Sequence, residues 1–145
     1  VSTKIFPTAQ DAENAFYEAL ERGDLEAMMA VWAEDEEIIC VHPGGPRLSG
    51  PDEVRSSWAR IFSGGTGPRV HITQQVAVTA MMIAVHSVHE NFTVEGDARA
   101  QVPVIATNVY LRTAAGWRMI VHHASPGPMQ APPAQPREAP PKFLH

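Results

Sequence analysis

The apolar residues of this chain change their spacing once, near Val70, and that change limits the fold more than any other feature. Before Val70 they recur at three- and four-residue intervals, the signature of one helix face. Ala12, Ala15, Phe16, Ala19 and Leu20 mark a first helix over 9–22. Leu25, Met28, Met29 and Trp32 mark a second, with Gly23 ending the first and Asp24 capping the second. Val54, Trp58, Ile61 and Phe62 mark a third, capped by Ser49 or Asp52. After Val70 the period falls to two. Four strands follow at 70–78, 83–94, 102–112 and 117–124, joined by turns short enough for an antiparallel meander. A short strand at 38–41 precedes a turn of sequence HPGGPRLSG. Three helices followed by such a meander predict an α+β fold, a curved antiparallel sheet wrapped around the helices.

The strand at 102–112 is apolar on both faces: Val102, Val104, Ala106 and Tyr110 on one, Pro103, Ile105, Val109 and Leu111 on the other. A sheet with one solvated face would alternate apolar with polar. The helices cover one side, and a second copy of the chain, paired through the back of the sheet as a homodimer, is expected on the other. The segment 126–141 carries seven prolines and little that could enter a core. We therefore divide the chain into a domain at 1–126 and a proline-rich tail at 127–145, extended or lying along a neighbour.

Composition removes several function classes. Acidic residues outnumber basic ones, 16 to 11, and no Lys/Arg stripe declares a nucleic-acid surface. No stretch is long and apolar enough to span a bilayer, and no signal-type pattern opens the sequence. The single Cys40 permits no internal disulfide, and a cytoplasmic setting is the expectation. The SGGTGP run at 63–68 follows a helix and lacks a GK[ST] ending, so it reads as a flexible turn rather than a phosphate cradle.

Chemistry-bearing side chains then narrow the search. His42 is delivered by a strand to a proline–glycine turn, where an imidazole near neutral pKa can act as a general base. The plainer reading is a turn histidine bonding nearby backbone. Asn108 can donate its amide to an oxygen that gains charge, or it can bridge strands. On the last strand Trp117, Met119, Val121 and His123 share the more apolar face, which places His123 inside and His122 outside. Phe16, Trp32, Cys40, Trp58, Phe62 and Tyr110 are the expected pocket lining, suited to a flat apolar ligand and to ordinary packing alike. Cys40 shares a strand face with His42, so it is either a small core filler or half of a thiol–imidazole pair. His86 and His89 leave opposite faces of their strand, as do His122 and His123. Only a cross-strand set such as His42, His123 and Glu90 would converge on an ion, and we expect neither metal nor cofactor.

Three segments carry a family likeness: RGDLEAMMAVWAEDEEIICVHPGG (22–45), LSGPDEVRSSW (48–58) and ATNVYLRTAAGWRMIVHHASP (106–126). In order and spacing they resemble the nuclear transport factor 2-like superfamily, and within it the SnoaL-like, ketosteroid-isomerase-like domains. The resemblance implies a cone-shaped barrel with a deep pocket at its open end, usually dimeric. It does not fix one activity, because the fold hosts isomerases, cyclases, dehydratases, binders and assembly modules. The positions where steroid isomerases of that family carry acids and phenols fall here on His42, Phe16, Asn108 and Trp58, so classical steroid isomerisation is not expected. SnoaL-like cyclases place His and Asp on late strands; the HHAS ending resembles that placement without the aspartate. Two readings follow. One is cofactor-free acid/base catalysis on a small carbonyl-containing or polycyclic compound, using His42, Asn108 and His123. The other is a non-catalytic ligand-binding or dimeric assembly module.

Overall fold

The structure is a computed structural model that describes residues 4–34, 37–93 and 103–128. Helix α1 (Ala9–Arg22) starts at Thr8, whose hydroxyl accepts from the Asp11 N–H. It ends at Gly23 with φ 63°, and Asp24 then caps α2 (Leu25–Val31) by accepting from the Ala27 N–H. Both signals were legible in the sequence. Helix α3 (Pro51–Ile61) differs: its N-cap is Gly50, with Pro51 at the first helical position, and no side chain caps it. Ser49 and Asp52 are therefore not the cap. Instead the Glu53 carboxylate reaches back to the Ser49 N–H.

Six strands form one sheet in the order β2-β1-β6-β5-β4-β3. They are β1 (Ile39–Val41), β2 (Arg47–Ser49), β3 (Arg69–Thr79), β4 (Ile83–Thr93), β5 (Val104–Thr113) and β6 (Gly116–Pro126). The fold is α+β, with a curved, unclosed sheet around three helices. It departs from the sequence reading in two ways. The HPGGPRLSG segment is not all turn, because Arg47–Ser49 returns as β2 against β1. The sheet is also not wholly antiparallel, because β1 runs parallel to β6. The hairpin is made by the His42 carbonyl accepting from the Gly45 N–H at 2.8 Å. Pro43 and Gly44 (φ 74°) occupy its two central positions, the residue order of a type II turn.

Two β-bulges decide which side chains face the helices. In β6, Met119 pairs with Tyr110 and Val121 with Val109, leaving Ile120 as an extra residue. In β3, Gln74 and Gln75 together oppose Val88, and Gln74 takes a positive φ of 54°. Past the β6 bulge the alternation inverts: His122 and Ala124 turn inward and His123 outward. The core is the apolar face of α1, Met28 and Val31 of α2, Val54 and Trp58 of α3, and the concave side of the sheet. Phe16 stands at its centre, edge-on to Tyr17 (4.9 Å), Trp58 (5.6 Å) and Trp32 (6.5 Å). Such contacts are each worth about 0.5–1.5 kcal/mol beyond burial.

The glycine-rich segment has a packing role. A Cβ on Gly23 would meet the Gly65 carbonyl oxygen at 2.1 Å, and one on Gly67 would meet that of Leu20 at 1.9 Å. The loop after α3 therefore seats backbone to backbone on the end of α1, and Glu21 continues the seat by accepting from the Val70 N–H. The proline-rich tail lies outside the described residues apart from Gly127 and Pro128. Gly23→Ala should lower stability by more than the roughly 1–2 kcal/mol of a left-handed backbone alone, because it also forces the loop away. Urea unfolding measures this; an unchanged midpoint would contradict the close approach.

Candidate functional site

A row of polar side chains crosses the concave face of the sheet. Cross-strand register aligns His86 on β4 with Asn108 on β5, Asn108 with His122 on β6, and His122 with Cys40 on β1. All four are buried. Helix α1 lays Glu13 and Tyr17 over this row, since both share the buried stripe with Ala12, Phe16 and Leu20. Glu90, two alternations further along β4 from His86, completes the group.

Each buried polar group finds partners, as burial demands. The Tyr17 hydroxyl donates to Glu90 Oε2 at 2.6 Å. Asn108 Nδ2 donates to the Tyr17 oxygen at 3.0 Å and to Glu13 Oε2 at 3.2 Å. Glu13 also accepts from the Tyr110 hydroxyl at 2.7 Å and from Gln75 Nε2 at 2.6 Å. Asn108 Oδ1 lies 2.6 Å from His122 Nδ1. Because the amide nitrogen is committed to Tyr17 and Glu13, this oxygen accepts, which assigns the proton of His122 to Nδ1. His122 Nε2 then carries a lone pair, 4.0 Å from Glu90 Oε2.

The environment pushes these two titrating groups in opposite senses. Burial raises the Glu90 carboxyl to about 7, with the Tyr17 hydrogen bond working against that shift and the Glu13 charge adding to it. Burial, then the neighbouring His42 and His123, lowers His122 to about 3. At neutral pH the pair is a half-protonated carboxyl beside a neutral imidazole. Burial first, and then the nearby carboxylates, hold the Tyr17 and Tyr110 phenols well above their ordinary value.

His42 stands at the edge of this group, half-buried, its ring edge-on to Trp58 at 4.7 Å. Its Nε2 lies 3.0 Å from Ser57 Oγ, and that hydroxyl donates its one proton to the Val54 carbonyl. The network thus places the His42 proton on Nε2 and leaves Nδ1 as the basic nitrogen. Burial and the Arg60 charge lower its pKa, so the ring is neutral at pH 7. Cys40 Sγ lies 3.6 Å from His42 Nε2, but burial, then the Glu90 charge, raises the thiol to about 12. The thiol form is thereby favoured over the thiolate, and Cys40 is packed in the core.

The sequence-derived set is therefore redrawn. His42 and Asn108 belong to one region, but His123 is exposed and pairs outward with Thr107. Its buried neighbour His122 takes the place assigned to it, because the β6 bulge breaks the parity from which His123 was assigned. The cross-strand set of His42, His123 and Glu90 fails for the same reason. Asn108 has no amide proton left for a substrate oxygen, so it positions its neighbours. Phe16, Trp32, Trp58, Phe62 and Tyr110 are all buried, and the first four are packed among one another. Glu13, Tyr17 and Glu90 were missed. Their signal was positional: two polar residues four apart inside the α1 stripe, and an acid on the apolar parity of β4.

A raised folded-state pKa contributes stability that is complete below the unfolded value and is lost as pH rises through the folded one. For Glu90 that loss runs from about pH 4.5 to 7. His122, lowered, acts in the opposite sense: its contribution is present above 6.5 and is lost as pH falls toward 3. Glu90→Gln should therefore gain stability relative to the parent between pH 5 and pH 8, on the order of 2 kcal/mol. Urea unfolding at both pH values checks this, and a difference independent of pH would refute the raised carboxyl.

Residues 10–130 match the SnoaL-like domain family. Among solved structures, one from Thiobacillus denitrificans, provisionally described as a calcium/calmodulin-dependent protein kinase type II association domain, is 37% identical. It covers 86% of this chain and 99% of its own, with a TM-score of 0.81. An NTF2-like protein from Streptomyces avermitilis, provisionally described as a dehydratase, is also 37% identical, covering 81% and 92% with a TM-score of 0.73. The Arabidopsis thaliana F-box protein SKIP8 is 29% identical over 112 residues, 76% of this chain. The chain spans 46% of that relative's length. With the helix-lined cone, the polar row and these matches together, the chain belongs to the SnoaL-like domain family of the NTF2-like superfamily.

Proposed function

We propose that this protein binds a small carbonyl-containing or polycyclic compound in the cone and moves a proton on it without a cofactor, as an isomerase, cyclase or dehydratase does. The observation that carries the reading is the Glu90 carboxyl. It titrates near 7, is held by the Tyr17 hydroxyl at 2.6 Å, and faces the free nitrogen of a neutral His122 at 4.0 Å. Proton transfer is fastest from groups whose pKa lies near the working pH, and two groups pushed apart by their surroundings divide naturally into acid and base. Glu90 removes or returns the proton, His122 is its exchange partner, and His42 Nδ1 serves as a second base at the rim. Tyr17, Asn108 and Glu13 hold these groups in place.

The indole N–H groups of Trp32 and Trp58 are buried with no acceptor. A ligand carbonyl oxygen among these rings would supply one, which favours an oxygen-bearing, flat, apolar compound. The Streptomyces avermitilis protein, described as a dehydratase, supports the same class of chemistry.

The test is exchange of the hydrogens next to the carbonyl of cyclic enones in deuterated buffer, followed by proton NMR. The parent protein should catalyse exchange, and Glu90→Gln should slow it by about 10²–10⁴-fold while remaining folded. Catalysed exchange that survives in Glu90→Gln would remove the carboxyl from the mechanism, and no exchange with any enone would refute the reading. Unchanged exchange in His42→Ala would remove only the rim base.

A second reading, homodimeric assembly, has its own observation. On the convex face Val78, Val85, Val109, Val121 and Ile39 align in register across five strands. Val76 and Val78 are each 65% exposed. A continuous apolar row of this kind fits the same row on a second copy. Val109→Glu should give a monomer by analytical ultracentrifugation where the parent is a dimer; a monomeric parent would refute the pairing.

A further inference from the structure

A cleft of about 310 Å³ opens at the other end of the polar row from His42, between the start of α1 and the second half of β3. Pro7 and Gln10 form one wall, Ala77 and Thr79 the other, and His86 and Trp117 lie beneath. The register explains why this space exists. After the bulge at Gln74–Gln75, Ala77 and Thr79 turn to the concave side opposite His86 and Ala84, but α1 begins only at Ala9 and leaves them uncovered. The small side chain of Ala77 on the wall keeps the space open.

His86 is 97% buried by its 3% exposure, yet its Nδ1 makes no hydrogen bond. That nitrogen lies 3.1 Å from Glu13 Oε2, close enough for an ionic contact and too far off line for a hydrogen bond. The carboxylate itself is fixed by Tyr110, Asn108 and Gln75, and the Tyr110 ring meets the imidazole edge-on at 5.2 Å. The two nitrogens of an imidazole point nearly opposite ways, so a ring with Nδ1 toward Glu13 turns Nε2 away from the carboxylate. The Glu13 carboxylate therefore lies behind the ring, and Nε2 is on the side away from it.

We propose that this cleft is a second ligand site, anchored by His86, for a small neutral molecule that carries a hydroxyl group. Charge selects the class. The cleft wall contains no Lys or Arg, and the Glu13 carboxylate stands behind the imidazole, so a carboxylate or phosphate would meet repulsion without a counter-charge. A hydroxyl both donates and accepts, and so suits Nε2 in either protonation state. Pro7, Ala77 and Trp117 offer apolar surface for the rest of the molecule. The volume is at the lower end for ligand sites, which limits the occupant to a few rings at most. This site is independent of the proton-transfer chemistry assigned to Glu90 and His122.

Phenol is the probe and benzoate its charged counterpart, each titrated into the full chain carrying ¹⁵N-labelled histidine rings. Phenol should shift the His86 ring resonances saturably, and benzoate should not. Ala77→Leu, at an exposed wall position, should weaken the phenol response by about tenfold or more without disturbing the fold. Phenol shifts confined to His122 or His42, equal binding of benzoate, or a response undiminished by Ala77→Leu would each overturn the proposal.

Discussion

The interior of this protein is organised around one buried carboxylate. Glu13 sits on the apolar stripe of α1, 2% exposed, where an unpaired charge would cost several kcal/mol. Three donors from two strands meet it, Gln75 on β3 and both Asn108 and Tyr110 on β5, with His86 of β4 alongside. One side chain thus ties the helix to three adjacent strands. That tie sets the height and rotation of α1, and with it the position of Tyr17 one turn later. Tyr17 in turn fixes Glu90, and Asn108 fixes His122. Satisfying one charge thus positions the groups to which chemistry is assigned.

The two bulges are what make this possible. A regular β3 would not put both Ile72, opposite Glu90, and Ala77, opposite His86, on the concave side. A regular β6 would place His123 inside and His122 outside. Both are single-residue insertions with no strong composition signal: the β3 bulge has no glycine, and Gln74 takes its positive φ without one. Element types, the Gly23–Asp24 junction and the apolar faces of α1 and β5 were legible because they rest on period and capping. The inward histidine was not, because a strand parity carries only as far as the first bulge. Strand β2 was hidden because a Pro-Gly-Gly-Pro run reads as turn, which it is, and only four residues, Arg47 to Gly50, follow before α3 begins.

The same distinction applies to the acids. The positions at which steroid isomerases of this superfamily carry acids and phenols are here Phe16, His42, Trp58 and Asn108. The interior nonetheless holds two carboxylates and two phenols, from Glu13, Glu90, Tyr17 and Tyr110. Glu13 and Tyr17 lie on α1, Glu90 on β4 and Tyr110 on β5, beside those positions rather than at them. Two structures at 37% identity, one described as a dehydratase and one as an association domain, share the scaffold. In this chain the polar row and the valine row lie on opposite faces of the same sheet.

The pairing of Glu90 with His122 depends on the state of the imidazole, and nitrogen NMR reads that state directly. The pairing predicts a neutral ring protonated on Nδ1, with an unprotonated Nε2, unchanged from pH 8 down to pH 5, because its pKa lies at about 3. A ring that titrates near 6.5, or one protonated on Nε2, would contradict the hydrogen bond to Asn108 and the pairing with Glu90.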